Sequence, residues 1–190
     1  MSTRAVFLDK DGTLVDDVPY NTDPRKITLR SGVGAALRLL TRLDYRLFVV
    51  SNQAGVALGR FPETALGAVQ DRLGDLLFRE HVSLDGFYYC PHHPEGSVSA
   101  YTVQCMCRKP MPGMLLQAAR ENNINLSLSW MLGDILHDVE AGNRAGCRTI
   151  LIDSGSETEW RLGQHRVPTR VTGDMYAAAS IIAKAEGYRP

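Results

Sequence analysis

Short, nearly continuous apolar runs alternate along this chain with stretches in which apolar residues recur every three or four positions. Residues 5–8, 46–50, 86–89, 130–132 and 148–152 form the first kind, and such runs predict strands covered on both faces of a parallel sheet. Residues 33–43, 63–80, 113–122 and 138–145 form the second kind, as in Leu66, Val69, Leu73, Leu76 and Leu77, and this spacing predicts amphipathic helices. Gly32, Pro62 and Pro112 stand near the helix starts and Gly146 near a helix end, consistent with the chemistry of helix termini. A last helix is expected over 175–185. The alternation predicts an α/β fold with a doubly wound, mainly parallel sheet. With no repeat, low-complexity tract or linker in view, a single domain over 1–190 is expected, without a large cap.

Such folds bind ligands beyond the carboxyl ends of their strands, and three of these ends are polar. The first run leads into Asp9-Lys10-Asp11-Gly12-Thr13, the second into Ser51-Asn52-Gln53-Ala54-Gly55, and the fourth into Gly133-Asp134. An isolated Asp-X-Asp-Gly is often only a turn or a calcium loop. Behind a buried strand, with two further polar strand ends following, it reads instead as part of a site. Two carboxylates so close call for a cation or a shared proton.

That set suits phosphate ester hydrolysis. Asp9 can attack phosphorus, and Asp11 can protonate the leaving oxygen and then deprotonate the attacking water. Mg²⁺ would relieve the repulsion between carboxylate and phosphate, with Asp9 and Asp134 as ligands. Ser51 and Asn52, with nearby backbone N–H groups, and Lys109 would hold the phosphoryl oxygens.

A second constellation is Cys90-Pro91-His92 followed by Cys105-Met106-Cys107. Three sulfurs and an imidazole make a tetrahedral zinc set, and four protein ligands leave no open position, so the Zn²⁺ would be structural. Spacing alone leaves His93 as a rival to His92. The knuckle runs directly into Arg108 and Lys109, so the metal would brace two cations. Cys147, alone in an apolar stretch, reads as a core residue.

Composition narrows the setting. The 190 residues are 44% hydrophobic and 22% charged with a formal net charge of zero. No global field favours nucleic acid or an anionic membrane. No targeting segment is expected at the N-terminus, and no apolar run in the sequence reaches membrane-spanning length. The expectation is a cytoplasmic monomer with a small phosphosugar as its partner.

In type and order these sites resemble the haloacid dehalogenase superfamily of aspartate-nucleophile phosphatases. The first motif is Asp9-Lys10-Asp11-Gly12-Thr13-Leu14-Val15, the second Ser51, the third Lys109, and the fourth Asp134 with Asp138. The resemblance implies that the backbone carbonyl of Asp11 is a third Mg²⁺ ligand. The segments Cys90-Pro91-His92-His93-Pro94-Glu95-Gly96 and Cys105-Met106-Cys107-Arg108-Lys109-Pro110 narrow it to a subgroup, the heptose 1,7-bisphosphate 7-phosphatases. These are hydrolases of carbohydrate metabolism that serve nucleotide-heptose and lipopolysaccharide synthesis. By that resemblance Asp17, Val18, Pro19, Tyr20, Gln53, Ala54 and Arg108 contact the substrate. Histidinol-phosphate phosphatases are similar but carry a shorter segment between the zinc-ligand pairs. A catalytically dead, zinc-stabilised phosphosugar-binding protein is the alternative from another class. Two positions depart from the pattern: Ile135 stands where relatives often have lysine, and Ser51 where threonine is common.

Overall fold

The computed structural model describes residues 3–161 and 163–188. Its frame is one six-stranded sheet in the order β3-β2-β1-β4-β5-β6. The strands are β1 (Ala5–Leu8), β2 (Arg46–Asn52), β3 (Gly86–Cys90), β4 (Trp130–Gly133), β5 (Arg148–Ile152) and β6 (Arg170–Thr172). Every neighbouring pair runs parallel. The helices are α1 (Val33–Arg42), α2 (Leu66–Arg79), α3 (Gly113–Asn122), α4 (Leu136–Ala145) and α5 (Met175–Ala185).

Strands β1 to β5 are largely apolar, as strands covered on both faces are. Val6 and Leu8 of β1 point into a core shared with Leu37 and Leu40 of α1, Leu73 and Leu77 of α2, and Ala179 and Ile182 of α5. Ala5 and Phe7 point the other way, against Met114, Leu115 and Ala118 of α3 and Ala141 and Ala145 of α4. This period-two division is what a doubly covered strand requires.

Two helix starts and one strand differ from expectation, besides shifts of one or two residues at other ends. Residues 63–65 form a 3-10 turn, and α2 proper begins at Leu66. Helix α4 begins at Leu136 rather than 138, because the Asp138 carboxylate reaches back to the N–H of Ile135 (3.3 Å) and caps the first turn. Strand β6 carries no apolar pattern. It is a short, polar edge strand defined by its pairing with β5, a usual way of blunting a sheet edge.

The strand order reverses direction at β1, which lies between β2 and β4. The crevice at this switch point, beyond the carboxyl ends of β1, β2 and β4, is where such a sheet receives a ligand. Helix α4, which carries Asp138 into that region, sits very close to the sheet. A methyl group on Gly142 would lie 2.6 Å from both Met131 Cβ and Thr149 Cγ2.

Gly142→Ala is therefore expected to push α4 off β4 and β5. The cost of overpacking is about 1–3 kcal/mol, which lowers Tm by several degrees in a chain of this size. Thermal unfolding checks this, and an unchanged Tm would contradict the packing.

Candidate active site

Asp9 continues the line of β1, its N–H donating to Leu132 O of β4 at 2.9 Å. The chain then folds into a tight turn. The N–H groups of Leu14 and Val15 both donate to Lys10 O at 3.0 Å, and Gly12 N–H donates to Val15 O at 2.9 Å. Gly12 is required here: its φ is +80°, and a Cβ would fall 2.0 Å from Asp134 Oδ2. Removing that Cβ lets the turn lie directly on the Asp134 carboxylate. Thr13 Oγ1 donates to Asp134 Oδ1 at 3.4 Å, and Arg30 grips the turn from outside, donating to Gly12 O at 2.5 Å.

Lys109 lies at the centre. Its buried ammonium contacts Asp9 Oδ1 at 2.5 Å, Asp138 Oδ1 at 2.6 Å and the carbonyl of Val50 at 2.8 Å. The backbone that delivers it is fixed by Asn52, which accepts from Lys109 N–H and donates to Lys109 O, each at 3.0 Å. Both ends of the Asn52 side-chain amide are thus engaged with Lys109, which it positions, while Asn52 also lines the adjoining cleft. Ser51 is buried and accepts from Gln53 Nε2 at 2.8 Å, and the same amide reaches Asp11 Oδ2 at 3.4 Å.

Asp9, Asp134 and Asp138 place carboxylate oxygens within 4.8 Å of one another. One ammonium cannot balance them. Burial, with Asp138 and Asp134 adding to it against the pull of Lys109, pushes the Asp9 carboxyl well above its usual range. Burial and the charge of Asp138 push Asp134 up to about 6. On Lys109, burial works to lower the pKa, but Asp138 and Asp9 outweigh it and hold the ammonium above its ordinary value. Asp138 is committed to Lys109, which leaves Asp9 and Asp134 as the pair whose shared charge calls for a further cation. Oxygen-only donors of this kind suit a hard divalent ion.

A cleft of about 220 Å³ adjoins this cluster, lined by Lys10, Asp11, Asp17, Val18, Pro19, Tyr20, Asn21, Asn52, Gln53, Ala54 and Gly55. Two separate segments named from the sequence, 17–20 and 53–54, thus line one cleft together with Asp11. Arg108 is not in this set. It is half-buried, and its guanidinium is turned toward His92 O at 3.5 Å. Sequence reasoning gave no role to Lys10, which is buried and ion-paired to Asp11, nor to Thr13 and Arg30. Lys10 could have been suspected, since a lysine between two acids in a buried turn must pair with one of them.

The second constellation also assembles. Cys90 Sγ lies 3.5 Å from Cys105 Sγ and 3.1 Å from Cys107 Sγ, and Cys105 and Cys107 are 3.2 Å apart. His92 Nδ1 lies 3.6 Å from Cys90 Sγ and 3.3 Å from Cys107 Sγ. His93 is turned away, its Nδ1 accepting from Glu95 N–H at 3.1 Å. All four cysteines of the chain are free thiols. A tetrahedron with metal–sulfur bonds of ~2.3 Å has edges of ~3.8 Å, so the donors stand slightly inside the spacing that zinc would set. Contact with Cys90, then with Cys105 and His92, holds the Cys107 thiol down to about 5 against the effect of burial. One donor is thus already inclined to the thiolate form that metals bind.

Comparisons with known proteins agree with this geometry. The HAD-hydrolase-like family model matches residues 106–178. The chain is 41% identical over 155 residues to a D-glycero-beta-D-manno-heptose-1,7-bisphosphate 7-phosphatase of Yersinia pestis, covering 81% of this chain and 82% of that protein. It is also 41% identical over 155 residues to the Escherichia coli (strain K12) protein of the same name, covering 81% of each. A solved D,D-heptose 1,7-bisphosphate phosphatase from B. bronchiseptica, complexed with magnesium and phosphate, superposes with a TM-score of 0.78 at 28% identity, covering 96% of this chain and 99% of that one. A buried aspartate–lysine cluster at the switch point of a parallel sheet, in a sequence this similar to such enzymes over most of its length, makes the chain a member of the haloacid dehalogenase-like phosphatases.

Proposed function

We propose that this chain removes the 7-phosphate of D-glycero-D-manno-heptose 1,7-bisphosphate, through an aspartyl-phosphate intermediate, as a single-domain enzyme of nucleotide-heptose synthesis. The observation that carries this reading is the cleft. It brings Asp11 and the segments 17–20 and 53–54 together beside the Asp9–Lys109 pair, in a sequence 41% identical to proteins of that name.

In this account a carboxylate oxygen of Asp9 attacks phosphorus as the ester oxygen leaves. Asp11, on the cleft wall, gives that oxygen its proton. Asp11 then takes a proton from water as the water attacks phosphorus, and Asp9 is released. Lys109 favours the ionised form of Asp9 against the effect of burial and, with Ser51 and the backbone N–H groups after it, balances charge on the transferring oxygens. Asp9, Asp134 and the carbonyl of Asp11 would hold Mg²⁺, which when bound supplies charge neutralisation between carboxylate and phosphate. Cys90, His92, Cys105 and Cys107 would hold a structural Zn²⁺ two residues before Lys109. Arg108 is a candidate for substrate recognition through its place beside Lys109, and not through a contact with the cleft. The surroundings we propose are the cytoplasm. No helix among the described residues is long and apolar enough to cross a membrane.

Phosphate release from heptose 1,7-bisphosphate and from histidinol phosphate, measured side by side, tests the substrate. A strong preference for the heptose is expected. A preference for histidinol phosphate would replace the assignment, and no turnover of any phosphate ester with Mg²⁺ present would leave a binding protein. Asp9→Asn should lower kcat at least a thousandfold, equivalent to about 4 kcal/mol of barrier, while the fold persists.

The metals separate by pH and by cysteine chemistry. In metal-free protein Asp134, with its native carboxyl near 6 against 3.8 unfolded, binds its proton more tightly when folded. Its contribution to stability therefore falls as pH rises from about 4 to about 6. Mg²⁺ should offset that loss only where Asp134 is ionised, so its effect on Tm should be clearly larger at pH 7.5 than at pH 5. Equal effects at the two values would contradict the assignment. Cys107→Ser should reduce zinc from about one per chain and lower Tm by roughly 5 °C or more, since ~2 kcal/mol corresponds to ~4–8 °C in a chain of this size. Metal analysis with thermal unfolding checks both, and unaltered zinc content and Tm would remove the knuckle from the account.

A further inference from the structure

The proposed substrate bears a second phosphate that is not cleaved, and the cleft offers that group no free cation. Lys10 is ion-paired to Asp11, and Lys109 is held by Asp9 and Asp138. Asp17 on the wall suits sugar hydroxyls and repels an anion. Arg60 is a further cation at the edge of the cleft. Its guanidinium carbon lies 5.6 Å from the centroid of the Tyr20 ring, and Tyr20 is itself a wall of the cleft.

Both partners are set by backbone. Tyr20 has φ of 56°, in the left-handed region that a bulky residue rarely occupies, which fixes where its half-exposed ring stands. Arg60 N–H donates to Gly55 O at 2.8 Å, and Leu58 N–H to Ala54 O at 2.9 Å. The turn is stitched to the loop that bears Cys90 and His92. Ala57 N–H donates to Pro91 O at 3.2 Å, and Ala57 O accepts from Ser97 and Val98 at 2.8 and 2.9 Å. Arg60 is exposed, and among the described residues no carboxylate pairs with its guanidinium.

We propose that Arg60, resting on Tyr20, is a specificity-determining residue that receives the second, uncleaved phosphate of the substrate. This rests on the reading given under Proposed function and adds the group that makes a bisphosphate preferable to a monophosphate. A guanidinium offers two parallel donors to a phosphate, and stacking on an aromatic face limits its freedom before the ligand arrives. The neighbouring zinc-knuckle loop thereby supports both ends of the substrate, aiming Lys109 at the cleaved phosphate and the 54–60 turn at the other.

The test compares kcat/KM for heptose 1,7-bisphosphate with that for heptose 7-phosphate, the same sugar without the second phosphate. The unaltered enzyme should prefer the bisphosphate. Arg60→Ala should reduce kcat/KM for the bisphosphate about ten- to a hundredfold, mainly through KM, as the loss of one charge-assisted contact predicts. Its effect on the monophosphate should stay within about twofold, with Tm unchanged. Arg60→Lys should recover part of the loss, and Tyr20→Leu should weaken the bisphosphate in the same direction by less. If the unaltered enzyme turns over neither sugar, the substrate assignment fails and this proposal with it. If it prefers the bisphosphate and Arg60→Ala keeps that preference while Arg108→Ala abolishes it, only the role of Arg60 is overturned.

Discussion

A buried ammonium held between two carboxylates is the constraint around which this molecule is arranged. Lys109 is fully enclosed, and its charge is tolerable only because Asp9, Asp138 and the Val50 carbonyl surround it. Removing one partner of such a set leaves an uncompensated buried charge, at a cost of about 3–5 kcal/mol. The three partners come from different elements: Asp9 ends β1, Asp138 sits in the first turn of α4, and Val50 belongs to β2. One interaction thus ties the switch point of the sheet to the loop after β3, and the proposed reaction would use the charges that hold the elements together.

The same arithmetic explains the demand for metal. Three carboxylates share one lysine, and the imbalance appears as raised affinity for protons at Asp9 and Asp134. A divalent ion satisfies it without a proton. The requirement is written into the packing, since Gly12 has no side chain to keep the turn away from Asp134. The sulfur–imidazole cluster solves a different problem. The loop from 91 to 112 contributes little to either core, yet it must present Lys109 to Asp9 within a fraction of an ångström. Four convergent donors at its base, the Asn52 clamp on its tip and the Ala57 contacts along its side confine it.

The sheet, its five apolar strands and the two polar clusters were legible in the sequence because each follows from a local pattern. Buried strands must be apolar, and metal-donor pairs must be closely spaced. What was not legible depended on distance in space. Strand β6 has no apolar signal and exists through its pairing with β5. The Asn52 clamp joins residues 57 positions apart, so the support that its amide gives Lys109 could not be read from the sequence. Arg108 was expected at the substrate by resemblance and by its place after the zinc set; the contact of its guanidinium with His92 O, 16 positions away, is not visible in the sequence. His92 and His93 could not be separated by spacing, and only the direction of each ring distinguishes them.

The central proposed event is the bond from an Asp9 carboxylate oxygen to phosphorus, with Lys109 stabilising the carboxylate. Acid quenching of a single turnover with phosphate-labelled substrate, followed by peptide mapping, examines this directly. The expected result is label on the peptide containing Asp9, lost on treatment with hydroxylamine as an acyl phosphate is, and absent in Asp9→Asn. Label found only in free phosphate from the earliest time point, or carried on a peptide without Asp9, would contradict it.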